Sequence, residues 1–356
     1  MLAYYVLLVG WAGLAVVLDA GSEGSSQKAR NAFVYIAAAT LFLLMSLRST
    51  TVGTDLEGYR WQYDTQFLRP EEPGYSLLIV LCRQMGLSFQ QFLAVVSLII
   101  VAAVSALIRE LAMAPFLSFF LHVTLGFFAM SLSGLRQSLA VAVCILAFLA
   151  LNRLRWIASL VLTAVACSFH NSAFVFFLTP LFFRLRPTRR ASLVLMIIPM
   201  VVLLLQAYVK IPSNLLPIDR YNSYLDEAQV SPNPLSILVA GAIAMVCILF
   251  WQPTELVSTT SVRVSERTMS VLIVMSLCNF LVMAMSTKLL IFTRFSYYFL
   301  PYIAILIPNV ITTAKHVWMR AIGPLVTLSI AAAQFAITTP GGVLGIGRYA
   351  FFWEGK

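Results

Sequence analysis

The sequence predicts an all-α, polytopic membrane protein with about twelve transmembrane helices and one short re-entrant or interfacial helix. Three observations carry that expectation. Of the 356 residues, 60% are hydrophobic and only 11% charged, against about 25% charged in soluble domains. Mean hydropathy is +0.90. The apolar residues also fall into runs near the ~20 residues that a spanning helix needs. A water-soluble fold could not hide so much apolar surface. No polar stretch is long enough for a separate soluble domain, so residues 1–356 read as a single transmembrane domain.

Taken in order, spans are expected at 2–18, 31–47, 91–108, 113–131, 191–209, 235–251, 268–286, 294–313 and 318–338. The N-terminal run lacks a basic n-region and a cleavage site, so it reads as a retained first helix. The stretch 134–183 is apolar throughout but is cut by Asn152–Arg155 and again by His170–Asn171, which predicts three short helices. Segment 73–87 is too short to cross and accounts for the re-entrant or interfacial helix.

Orientation follows from the basic loops. Arg184, Arg186, Arg189 and Arg190 cluster between two spans, so that loop is cytoplasmic by the positive-inside rule. Alternation then puts Lys28, Arg30, Arg109, Arg153, Arg155, Arg263, Arg267, Lys315 and Arg320 on the same side. The outward side receives loops 48–72 and 210–234, the turn at 132–136, His170, the connection 287–293 and both termini. The net charge of +10 comes without a basic tail or lysine run, so no nucleic-acid partner is expected. Five isolated cysteines, none at metal-ligand spacing, predict neither a disulfide nor a metal site.

The outward side keeps several arginines against the usual trend, and those positions are the candidates for chemistry. Loop 48–72 mixes Arg48, Asp55, Tyr59, Arg60, Trp61, Tyr63, Asp64, Glu71 and Glu72. Aromatic rings stack on a sugar's apolar face while charged groups bind its hydroxyls; the plainer alternative is an interfacial aromatic belt. Arg136, followed by Gln137, heads a helix, where a cation opposes the helix dipole. It serves there either as an anion ligand at a helix N-terminus or as an arginine snorkelling to the interface.

His170 follows the 14-residue run 156–169, which spans only ~21 Å as a helix. The turn at His170 therefore lies below the outer surface, where a histidine serves either as a proton acceptor or as a hydrogen-bonded structural group. Arg220 and Tyr221 head a polar segment in the second outer loop, and Arg294 and Tyr298 share a helical face near the end. Together Arg48, Arg136, Arg220, Arg294 and His170 suggest a cationic cavity open outward for a polyanionic headgroup. No Walker loop, HExxH or GxSxG motif occurs.

The segments SLRSTTVGTDLEGY, EPGYSLL, SGLRQSLA, FHNSAF, RYNSY, TRFSYYFLPY and RYAFFW, in this order along the chain, resemble the EpsG family of polysaccharide polymerases, relatives of the Wzy O-antigen polymerases. The resemblance implies a GT-C-like glycosyltransferase of the bacterial cytoplasmic (inner) membrane, facing the periplasm. It would join undecaprenyl-pyrophosphate-linked repeat units for an O-antigen, capsule or exopolysaccharide. Donor and acceptor would both be lipid-linked glycans, with a chain-length regulator and a flippase as further partners and no cofactor.

On that reading the candidate catalytic residues are His170, as general base, and Asp55, its rival. Arg48, Tyr59, Arg136, Gln137, Arg220, Tyr221, Arg294 and Tyr298 would bind substrate. A transporter or flippase of lipid-linked oligosaccharide is the alternative, because it too needs an outward cationic cavity. A membrane acyltransferase is a third reading.

Overall fold

A computed structural model describes residues 1–18, 26–185, 187–205, 234–251, 264–287 and 291–354. Among them every extended element is a helix, apart from one isolated antiparallel bridge between Arg48 and Phe351. The helices are α1 (Leu2–Val17), α2 (Gln27–Ser46), α3 (Leu56–Thr65), α4 (Pro73–Gln84), α5 (Phe89–Leu111), α6 (Pro115–Thr124), α7 (Phe127–Ser133), α8 (Leu135–Asn152) and α9 (Trp156–Phe169). A 3-10 turn, Asn171–Leu178, leads into α10 (Thr179–Leu185). Then come α11 (Arg189–Leu195), α12 (Ile197–Leu205), α13 (Pro234–Phe250), α14 (Glu266–Met285), α15 (Phe292–Ser296), α16 (Leu300–Thr313) and α17 (Val317–Thr338).

Five of these, α2, α5, α8, α14 and α17, are long and apolar enough to cross a membrane alone, and α6 with α7 makes a sixth if the bent pair is one span. The shorter apolar helices α1, α9, α13, α16 and the 171–185 pair fill out the bundle. The chain is thus an all-α membrane protein.

Three expected spans are broken. Run 191–209 is interrupted at Met196, between α11 and α12. Run 113–131 bends by 54° where α6 meets α7. Gly126 sits at that corner with φ +107°, a left-handed conformation that a side chain would strain. Run 294–313 is split between α15 and α16, and Pro301 opens the second piece, where its missing N–H costs nothing. The cuts expected at 152–155 and at His170 are present. Segment 73–87 forms the 12-residue α4, about 18 Å long and too short to cross.

Helices α8 and α14 are the centre of the bundle, with 78% of their spanning windows buried, whereas α17 has 11% and presents its apolar side chains outward. Buried polar groups sort to two ends. At one end Arg30 donates to the carbonyls of Ala112 and Met113, Asn309 Nδ2 donates to Leu111, and Thr268 Oγ1 donates to Asn152. This end gathers basic loops that the sequence groups together. At the other end, residues 48–72, the turn before α8, His170 and α15 surround one cavity. Of the second outer loop, 206–233 lies outside the described residues, and so do Arg220 and Tyr221.

Candidate functional site

The site begins with two close backbone approaches. Gly53 has φ +107°, and a Cβ there would lie 2.5 Å from the Leu132 carbonyl. Only glycine lets the first loop lie this close to the turn before α8. Asp55 follows at the start of α3, its backbone N–H directed at Ser133 Oγ (3.4 Å). At Gly74 a Cβ would meet Ser168 Oγ at 2.2 Å, so the start of α4 lies hard against the end of α9. That contact brings Glu72, the residue before Pro73, to His170, the residue after α9.

Glu72 is buried, 4% exposed, and sits between the side chains of His170 and Arg136. The His170 Nδ1–H donates to its Oε1 at 2.7 Å, and Arg136 Nη1 donates to its Oε2. Burial raises the carboxyl's pKa, but the hydrogen bond from His170 and the Arg136 charge outweigh that and hold it below the usual carboxylate value. An ionised carboxylate only accepts hydrogen bonds. The proton of a neutral His170 is therefore on Nδ1, which leaves Nε2 with its lone pair free.

Arg136 lies at the first turn of α8, the position where it opposes the helix dipole. Glu72 supplies the compensating charge. Tyr59 completes the cluster: its hydroxyl accepts from Arg136 Nε at 3.3 Å, and the guanidinium lies 5.5 Å from its ring centroid.

This cluster borders a cavity of about 990 Å³, at the upper end of the range for small-molecule sites. Asp55, Tyr59, Arg136, Gln137, His170 and Arg294 all line it. Gln137 Nε2 donates to the Arg294 carbonyl at 2.5 Å and so ties α15 to α8. The lining also includes apolar side chains, among them Val239, Ala240, Ile243, Met283, Leu300 and Ile303. The cavity therefore suits an amphipathic ligand with an anionic polar end and a hydrocarbon end. Among the described residues no three His, Cys, Asp or Glu side chains come together as a metal site would require.

Two expected site residues lie elsewhere. Arg48 is fully buried beneath the cavity wall, its Nη1 donating to the Met45 carbonyl. Tyr298 is also fully buried, with its hydroxyl 3.0 Å from Ser172 Oγ. The shared face expected for Arg294 and Tyr298 is lost because the chain turns between α15 and α16. Arg294 opens on the cavity while Tyr302 points inward to the Cys144 carbonyl.

Glu72, which joins His170 and Arg136, is the residue of this cluster that sequence reasoning did not single out. Its only local signal is a carboxylate directly before the Pro-Gly that starts a helix.

A family model describing the EpsG family matches residues 31–345. The chain belongs to the EpsG family. This EpsG-family chain therefore stands with the Wzy-like membrane polysaccharide polymerases, and the matched span includes Asp55, Glu72, Arg136, His170 and Arg294. No curated protein and no solved structure matches it.

Proposed function

We propose that this protein polymerises undecaprenyl-pyrophosphate-linked oligosaccharide repeat units at the outer face of the bacterial cytoplasmic membrane, on a GT-C-like bundle of about twelve spans. The observation that carries the reading is Glu72, which joins His170 to Arg136 at the edge of a cavity lined by both charged and apolar side chains. A lipid pyrophosphate has the matching chemistry, an anionic head between a glycan and a hydrocarbon tail.

In the reaction, His170 Nε2 takes the proton from an acceptor sugar hydroxyl. The hydroxyl oxygen bonds to the anomeric carbon of the donor glycan as the bond from that carbon to the lipid pyrophosphate breaks. The electron pair leaves on the pyrophosphate, and Arg136 and Arg294 stabilise its charge. Glu72 fixes the histidine tautomer and stabilises the imidazolium that forms, as the carboxylate does in other acid–base triads. Asp55 orients the acceptor from the start of α3, one turn before Tyr59.

The test is incubation of the purified protein in lipid with one lipid-linked repeat unit. A ladder of polymer lengths is the expected product. Movement of intact repeat units across the bilayer without a ladder would support the flippase reading instead. That alternative draws on two of the interrupted spans, because transporters bind substrate at discontinuous helices.

A further inference from the structure

The C-terminal segment after α17 is paired with the first loop, almost 300 residues away in sequence. Thr54 N–H donates to the Leu344 carbonyl at 3.2 Å, Gly53 N–H to Gly345 at 3.3 Å, and Ser49 N–H to Ala350 at 2.8 Å. Phe352 N–H donates back to Leu47 at 2.9 Å. Two tyrosines clamp the same stretch: the Tyr349 hydroxyl donates to the Leu44 carbonyl at 2.7 Å, and that of Tyr4 donates to Ile346 at 3.0 Å. Gly345, at φ +65°, lets the segment pass Thr54, where a Cβ would lie 2.9 Å from the threonine methyl.

Arg48 lies beneath this seam. It is 0% exposed, and among the described residues its Nε and Nη2 have no hydrogen-bond partner. Among the described residues no carboxylate pairs with it. Burying a cation in that state is expensive, so the residue must repay the cost through position. It caps the carbonyl end of α2, where the helix dipole favours a positive charge. Tyr4 and Tyr349, the two clamps, are its near neighbours.

On its other side the segment reaches the cavity. Val343, Leu344 and Ile346 line it, and Thr54, paired with Leu344, directly precedes Asp55. We propose that the C-terminal segment 342–352 is a built wall of the substrate cavity, and that Arg48 is the positioning residue that holds this wall and, through Gly53–Thr54, the aim of Asp55. The inference rests on the polymerase reading of the cavity. Glu72, His170 and Arg136 are held by other contacts, so disturbing the wall should act on substrate binding more than on the chemical step.

The experiment compares Tyr349→Phe, Arg48→Lys and Arg48→Gln with the parent in the polymer-ladder assay, and pairs it with thiol labelling of Val343→Cys. Tyr349→Phe should raise KM for the lipid-linked unit about threefold to tenfold, the equivalent of one hydrogen bond, with kcat changed less. Arg48→Gln should raise KM further, and Arg48→Lys should recover part of the loss because it restores the charge. A saturating lipid-linked repeat unit should slow maleimide labelling at Val343→Cys, after subtraction of labelling at the native cysteines.

Unchanged KM in Tyr349→Phe, or labelling at position 343 that ignores the lipid-linked unit, would overturn the proposal even if Arg48→Gln fails to fold. A parent protein that makes no ladder would overturn the polymerase reading instead. Labelling would still report separately on the cavity wall.

Discussion

Glu72 and His170 lie 98 positions apart in sequence, and the histidine ring donates to the carboxylate at 2.7 Å. This pairing fixes which ring nitrogen of a neutral His170 keeps its lone pair, and it links the proposed base to the arginine proposed to face the anion.

Glu72→Gln should cut turnover by about 10²-fold or more, the low end of what a positioned base contributes. The amide still fills the space but carries no charge for either cation. Steady-state turnover, normalised to folded protein, is the measurement. Near-normal turnover would leave Glu72 a structural group only.

His170→Ala should lower turnover by two to four orders of magnitude with little change in substrate binding. Asp55→Asn should mainly raise KM. The reverse pattern, an active His170→Ala beside a dead Asp55→Asn, would hand the base role to Asp55.

Arginine cannot be replaced by lysine at position 136 without loss. Its guanidinium serves Glu72 and Tyr59 at once, which the point charge of an ammonium cannot match. Arg136→Lys should therefore reduce activity strongly while expression holds. Arg294→Lys, on the cavity wall, should weaken donor binding. Parent-like kinetics in both would favour arginines that only snorkel.

The carboxyl of Glu72 has its pKa depressed in the folded protein. Such a group contributes stability that is present above its unfolded pKa, near ~4.3, and is lost as pH falls through the lower folded value. Thermal unfolding in detergent should therefore show destabilisation in acid beginning at about that pH. The acid loss should be smaller in Glu72→Gln than in the parent. Identical acid profiles for the two proteins would refute the link.

Excess EDTA should leave the ladder intact, because the arginines are expected to neutralise the leaving pyrophosphate directly. Abolition by EDTA with rescue by magnesium or manganese would overturn this.

Much of the bundle was legible in the sequence because hydropathy reports membrane helices directly. The cuts at Asn152–Arg155 and at His170 could be seen as polar residues in apolar runs. The breaks at Gly126 and between α15 and α16 could not, because both lie within strongly apolar sequence and depend on tertiary packing. At the site, Asp55, Tyr59, Arg136, Gln137, His170 and Arg294 were legible as polar groups out of place. Glu72 was hidden, since one glutamate in a loop of charges looks solvated until the fold brings it to Arg136, 64 positions on. Arg48 was legible as unusual but not as buried, because its enclosure depends on a segment about 300 residues later in the chain.

One carboxylate shared by Arg136 and His170 also makes the three positions epistatic. If Glu72 is lost, Arg136 is left without its counterion and His170 without its hydrogen-bond acceptor. If Arg136 is lost, the carboxylate is left to the histidine alone. Each single change therefore includes the cost of stranding a partner, and that cost is not incurred twice. In a double-mutant cycle, Glu72→Gln combined with Arg136→Gln should cost less stability than the two singles added together. A substitution at one of these sites would be judged by the residues at the other two.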